Sequence, residues 1–179
     1  MMKIALTGKM RSGKDAAADY LADHYGFRKF AFGDAIRNLC KDLFPNADED
    51  GKPRALYQNV GQALRDVDPD VWVNYVLRQI ERETGPDDDI VITDLRQWNE
   101  YFSLLEAGFD VVKINSSATT RIQRMKRLGE QIQLAQFNHE TEKFVEQIDA
   151  DFEITNEGTL KELYCLIDNA LLHIKEEAA

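Results

Sequence analysis

The chain has 179 residues, 44% of them hydrophobic, which suits one domain with a complete core. Its net charge is −10 at pH 7 with scattered acidic groups, so the composition argues against a general grip on nucleic acid polymers. We find no apolar stretch long enough to span a bilayer and no secretory signal pattern, so we predict a cytoplasmic protein that does not bind membranes.

The first predicted elements are a strand, a glycine loop and a helix. Apolar residues at 3–7 precede Gly-Lys-Met-Arg-Ser-Gly-Lys-Asp at 8–15, and helical spacing continues to Tyr25 before Gly26. Two glycines allow a tight loop with inward N–H groups, while Lys14 and the helix N-terminus add positive potential. The pattern predicts a polyphosphate site formed by Gly8, Lys9, Met10, Arg11, Ser12, Gly13, Lys14 and Asp15.

Two carboxylates are candidates for Mg²⁺ binding. Asp15 stands where this loop pattern usually has a Ser or Thr hydroxyl, and a carboxylate can bind the metal directly or through water. Asp94 ends the apolar sequence Ile-Val-Ile-Thr at 90–93, which is typical of a buried parallel strand. We therefore expect Asp94 to lie beside the phosphate loop and to hold Mg²⁺ through water.

Further strand and helix patterns alternate along the chain. If the sheet is parallel and doubly wound, strand ends and helix starts share the edge at which ligands bind. Strand patterns cover residues 3–7, 27–32, 90–94, 110–115 and 150–155, and helical patterns cover residues 15–25, 33–44 and 54–67 and begin again after Arg96 and at Leu160. Residues 45–53 form a predicted surface loop. Cys40 and Cys165 lie in helical patterns, which favours reduced core thiols.

One helical stripe in the middle of the chain carries Arg54, Gln58, Gly61 and Arg65. Their spacing of four, three and four residues keeps them within about 60° of one another, opposite Leu56, Val60, Ala63, Leu64 and Val67. Arginine grips phosphate in two bonds, glutamine can contact a base edge, and glycine leaves room for a ring. This favours a ligand-binding face over a merely solvated one.

Four other residues are candidates near this stripe or the sheet edge. Asp34 is either a helix cap or a ligand group, and Arg37 lies where an anionic substrate could reach it. Trp72 is either a core residue or a stacking wall for a base. Arg96 directly follows the strand acid and could reach transferring phosphate oxygens, with Glu100 on the next helix fixing it.

A positively charged segment occurs late in this otherwise acidic chain. Seven consecutive residues there contain no acid and include Arg121, Arg124, Lys126 and Arg127. We predict a lid at about 117–140 whose arginines neutralise transition-state charge and which excludes water; a solvated helix is the alternative. His139 is interpreted as structural. Asn156, in the turn after the last strand, could present backbone groups to a purine or lie in an ordinary turn.

The sequence thus predicts binding sites for two anions, one at the glycine loop and one at the arginine stripe. A hydrolase needs only the first, so we infer a kinase whose acceptor is itself a phosphate. A phosphate monoester with a second pKa of about 6 is already an anionic nucleophile and needs no strong base. Catalysis would then consist of alignment and charge neutralisation.

The motifs resemble the deoxynucleoside monophosphate kinases of phages and bacteria, within the P-loop nucleoside monophosphate kinases. The resemblance covers most of the chain and depends on the loop at 8–15, the block at 54–72, and Thr-Asp-Leu-Arg-Gln-Trp-Asn-Glu at 93–100. It implies a three-layer α/β/α P-loop NTPase fold with a five-stranded parallel sheet, in one domain of residues 1–179 with an acceptor-binding insertion at about 33–84. It also implies use of ATP and Mg²⁺, and a (deoxy)nucleoside monophosphate bound by Arg54, Gln58, Arg65 and Trp72. Lys14, Arg96 and the lid arginines Arg121, Arg124 and Arg127 would assist transfer.

Three other interpretations remain open from sequence. Phosphomevalonate kinases resemble the chain in the Gly-Lys-Asp loop and the segment His-Glu-Thr-Glu at 139–142. Dephospho-CoA kinases resemble residues 150–160 and would need a base, for which Asp34 is the candidate. A regulatory module would bind ATP without turnover. The sequence leaves open whether subunits pair as a homodimer.

Overall fold

The computed structural model describes residues 1–47, 53–129 and 140–177, with the backbone alone at positions 54, 140–142 and 177. Its strands are β1 (Lys3–Thr7), β2 (Arg28–Phe30), β3 (Ile90–Ile92), β4 (Asp110–Asn115) and β5 (Phe152–Thr155). Its helices are α1 (Lys14–Tyr25), α2 (Phe32–Leu43), α3 (Arg54–Val67), α4 (Val71–Glu83), α5 (Trp98–Glu106), α6 (Ala118–Arg127), α7 (Glu140–Gln147) and α8 (Leu160–Glu177). Parts of the predicted surface loop and lid, including His139, lie outside the described residues.

The five strands form one parallel sheet in the order β2-β3-β1-β4-β5. Ala5 in β1 pairs with Ile92 of β3 on one side and with Val111 of β4 on the other. Because both pairings are parallel, the carboxyl ends of these three strands lie at the same edge of the sheet. The predicted three-layer α/β fold with its five-stranded parallel sheet is thus confirmed. The second strand is shorter than predicted because Ala31 is already the N-cap of α2, and Phe32 begins that helix as a buried residue.

The chain divides into two compact units, residues 1–29 with 88–179, and residues 30–87. In the first unit, α1 and α8 pack on one face of the sheet. Ala17 and Leu21 of α1 share a buried cluster with Leu163 of α8 and with Leu6 and Ile114 of the central strands. This packing holds the start of α1 over the end of β1, where the glycine loop connects them.

The second unit contains α2, α3 and α4, and its packing depends on one glycine. Gly61 is buried, and a Cβ added to it would lie 3.1 Å from Ile36 Cδ1 of α2. Trp72 of α4 is only 3% exposed and donates its indole N–H to the Gly61 carbonyl at 3.0 Å. The absence of a side chain at Gly61 therefore leaves room for Ile36 of α2, and Trp72 is a core residue.

Two details differ from the sequence-based expectations. Val67, expected on the apolar side of its helix, is 84% exposed. Cys40 is buried as predicted, whereas Cys165 is exposed, because it lies on the solvent side of the amphipathic α8. No helix in the described ranges is long and apolar enough to cross a membrane.

We predict that Trp72→Phe lowers the free energy of unfolding by about 1–2 kcal/mol, because the phenyl ring cannot donate to the Gly61 carbonyl. Trp98→Phe is the matched control, since Trp98 is 42% exposed and surface changes usually stay within about 0.5 kcal/mol. Urea unfolding followed by circular dichroism measures both. Equal losses in the two variants would contradict the role given to the indole N–H.

Candidate active site

The loop between β1 and α1 has the conformation that its two glycines allow. Gly8 has φ +156° and Gly13 has φ +109°, both in the region that disfavours side chains. A Cβ on Gly8 would lie 2.6 Å from the carbonyl oxygen of Ile114 in β4. A Cβ on Gly13 would collide with the Asn156 side chain. Both glycines are therefore required by close contacts with the ends of β4 and β5.

Lys14 is the first residue of α1 and its side chain is buried, with the ammonium 3.7 Å from the Asp15 carboxylate. Asp15 itself is exposed beside the loop. Among the described residues no group of three or more His, Cys, Asp or Glu is placed to hold a metal ion. Mg²⁺ commonly keeps several waters and takes one or two carboxylates together with substrate phosphates, and the exposed Asp15 carboxylate is a donor of the kind that fits this metal.

The segment after β3 is fastened to the end of β1. The Leu95 N–H donates to the Leu6 carbonyl at 3.2 Å, and the buried Thr7 hydroxyl donates to the Leu95 carbonyl at 3.0 Å. These bonds hold Asp94, which is half-buried, at the sheet edge that carries the loop. The Glu100 carboxylate accepts the Arg96 backbone N–H at 2.8 Å, so this buried acid fixes the Arg96 main chain.

Two of the late arginines contact the loop backbone. Arg121 is 5% exposed and its guanidinium donates to the Met10 carbonyl at 3.3 Å. Arg124 donates to the carbonyls of Arg11 at 3.2 Å and Ser12 at 3.0 Å. Burial lowers the pKa of Arg124 from its ordinary value, an effect that the nearby Glu157 carboxylate opposes. The alternative to the predicted lid, a solvated helix, does not describe these two positions, since both side chains pack against the loop.

A cavity of about 370 Å³ lies beside the loop. Gly13, Lys14 and Asp15 line one part of it, and Asn156, Gly158, Thr159 and Leu160 line another. Arg127, which is exposed, and Leu128 also contribute to its wall. The cavity therefore joins the glycine loop to the partly apolar turn after β5.

The turn after β5 is held by bonds that the sequence analysis missed. The Thr159 N–H donates to Glu162 at 2.7 Å, and the Glu162 N–H donates back to the Thr159 hydroxyl at 3.3 Å. This is a capping box, recognisable from the Thr-x-x-Glu spacing. The Thr159 backbone N–H holds the pKa of Glu162 below its usual value. The box fixes the start of α8 next to the cavity.

A second cluster missed from sequence links the loop to α7. Lys9 forms an ion pair with Glu146, and the hydrogen bond from Lys9 lowers the pKa of that carboxyl. Lys113 of β4 is buried, bonding to the Ile148 carbonyl at 3.0 Å and to Glu153 at 2.9 Å. Because these partners lie far apart in the sequence, no local pattern could reveal them.

The candidates in residues 30–87 have different environments. Asp34 and Arg37 form an ion pair one helical turn apart, with both side chains partly exposed. On α3, Gln58 is exposed and Arg65 is half-buried, with Nη1 3.5 Å from where a Gly61 Cβ would lie. Packing within the unit accounts for Gly61 and Trp72, which weakens the interpretation of these two as ligand groups. The side chain of Arg54 lies outside the described part of the structure.

Comparison with known proteins identifies the family. Residues 4–145 match the model of a family described as "AAA domain". A protein of Acanthamoeba polyphaga mimivirus named "Putative deoxynucleotide monophosphate kinase" is 31% identical over 143 residues, which cover 64% of this chain and 74% of that protein.

Solved structures share the fold at lower sequence identity. A gluconokinase from Sinorhizobium meliloti superposes with a TM-score of 0.62 at 17% identity, covering 99% of this chain and 95% of that one. A dephospho-CoA kinase from Campylobacter jejuni (TM-score 0.60, 12% identity) and a shikimate kinase from Aquifex aeolicus (0.51, 18%) each cover 99% of this chain and 98% of their own. With the glycine loop and the parallel sheet, these matches confirm that the chain belongs to the AAA domain family of P-loop kinases and is related to the deoxynucleoside monophosphate kinases.

Proposed function

We propose that the protein transfers the γ-phosphoryl group of ATP to a (deoxy)nucleoside monophosphate, giving the diphosphate. The observation that carries the acceptor assignment is the 31% identity to the mimiviral protein named for that activity. The half-buried Arg65 and the exposed Gln58 support it, because they can serve a phosphate and a base on one face of α3.

The donor is proposed to bind with its phosphates on the loop and its base towards the turn at 156–160. Loop N–H groups and the α1 N-terminus favour the polyphosphate, and the buried Lys14 ammonium adds a fixed positive charge. Asp15 and Asp94 are the residues that would hold Mg²⁺. When bound, this ion would neutralise negative charge on the phosphates.

Transfer needs alignment more than proton removal. An acceptor phosphate oxygen forms a bond to the γ-phosphorus while the bond to the β,γ-bridging oxygen breaks, releasing ADP. Since the monoester is already ionised near neutral pH, no general base is required. Lys14, Arg96 and Arg127 are proposed to offset the charge that repels the two substrates.

The first test is an ADP-release assay over the four deoxynucleoside monophosphates, their ribose counterparts, phosphomevalonate and dephospho-CoA. We expect turnover on at least one nucleoside monophosphate and none on the last two compounds. Turnover on either of those alone would overturn the acceptor assignment. Binding of ATP with no ADP release on any of these compounds would favour the regulatory interpretation.

Lys14→Met should lower kcat by about 100- to 1,000-fold or more, because it removes a fixed charge aimed at the transferring group while keeping the buried aliphatic chain. The thermal midpoint without ligand, measured in parallel, checks that the fold is intact. A folded variant with wild-type kcat would remove Lys14 from the mechanism.

Arg65→Ala should raise the KM of the acceptor by about 10- to 100-fold with little change in the KM of ATP, as expected for loss of a charged hydrogen bond. The matched control is Arg78→Ala, which removes an exposed arginine of α4 in the same unit. If both variants keep wild-type acceptor kinetics, the α3 face does not bind the acceptor.

A further inference from the structure

One carbonyl of the phosphate loop is contacted by three side chains from distant parts of the chain, those of Asn156, Arg124 and Ser116. The Ser12 carbonyl accepts a hydrogen bond from the Asn156 side-chain amide at 2.8 Å and one from Arg124 Nη1 at 3.0 Å. Asn156 follows β5 and Arg124 lies on α6. Both bonds are at ordinary length for N–H···O geometry, and the Ser116 hydroxyl lies 3.1 Å from the same oxygen.

Ser116 joins these two donors. Its hydroxyl accepts from Arg124 Nη1 at 3.0 Å and lies 2.5 Å from the Asn156 carbonyl oxygen, to which it can donate. The other end of the Arg124 guanidinium donates to the carbonyls of Asn156 at 3.1 Å and Gly158 at 3.4 Å. The planar guanidinium fork is therefore committed to backbone and hydroxyl acceptors on three segments.

Fixing a carbonyl also fixes the neighbouring N–H. A trans peptide is planar, with its C=O and N–H pointing in opposite directions. The bonds to Ser12 O therefore direct the Gly13 N–H away from Arg124 and Asn156. Gly13 is the N-cap of α1, directly before Lys14, so its N–H belongs to the group of donors that a phosphate would meet.

We propose that Arg124 and Asn156, joined by Ser116, are positioning residues that orient the Ser12–Gly13 peptide for phosphate binding. Arg124 acts through the loop backbone and not as a charge placed on the transferring group. This inference rests on the proposed phosphate site but not on which acceptor is used.

The experiment compares Arg124→Lys with Arg124→Gln. Lysine keeps the positive charge but is a single point donor without the fork. Positioning by the fork predicts that both variants bind inorganic tripolyphosphate about 10-fold more weakly than the wild type, by calorimetry. It also predicts that KM for ATP changes more than kcat. Gln123→Ala, an exposed neighbour on α6, should bind like the wild type.

A spectroscopic signature separates positioning from general loss of stability. The Gly13 amide resonance of the ligand-free protein should shift in Arg124→Lys, Arg124→Gln and Ser116→Ala, while Gln123→Ala leaves it in place. If the Arg124 variants do not fold, Ser116→Ala carries the test, with an expected weakening of about 3-fold, because Arg124 and Asn156 can still donate to the Ser12 carbonyl.

Three other results would contradict the positioning role or the phosphate site on which it rests. If Arg124→Lys binds tripolyphosphate like the wild type while Arg124→Gln does not, charge alone suffices and the positioning role is wrong. An unmoved Gly13 resonance in all variants also refutes it. If the wild type itself fails to bind tripolyphosphate, the proposed phosphate site falls, while the Gly13 resonance still decides whether the side chains orient the peptide.

Discussion

The close approach of Gly13 to Asn156 determines how the candidate site is assembled. Only a residue without a side chain fits there, since a Cβ would overlap the Asn156 amide and φ is +109°. That approach lets the amide reach the Ser12 carbonyl at 2.8 Å. The glycine loop, the start of α1 and the turn after β5 are thereby held as one rigid group, and the cavity beside the loop lies between them.

Positive side chains are concentrated around the glycine loop. The chain carries a net charge of −10, yet the loop is surrounded by Lys14, Arg121, Arg124 and Arg127. Arg121 and Arg124 donate to backbone carbonyls there. A carbonyl orients a guanidinium without cancelling its full charge, so positive potential remains available where a polyphosphate would bind.

The sequence was informative where structure depends on local spacing. The two glycines and Lys14 predict the loop because adjacent residues set both the turn and the start of α1. The bounds of α3 agree with the predicted bounds because its helical spacing is uninterrupted. The spacing of residues could not reveal that Gly61 of the arginine stripe faces Ile36. The helical period shows which residues share one face of a helix, but not what that face packs against. Nor could it pair Arg124 and Asn156 with Ser12, which are 112 and 144 positions apart.

Because distant side chains hold the loop through its backbone carbonyls, part of the loop sequence can change without loss of these hydrogen bonds. The oxygens of Lys9, Met10, Arg11 and Ser12 take part in the bonds that shape the turn. Main-chain oxygens are identical in every amino acid, so replacing the side chain of Met10 leaves these acceptors in place. Substitution at Met10 should therefore be tolerated more readily than substitution at the distant donors.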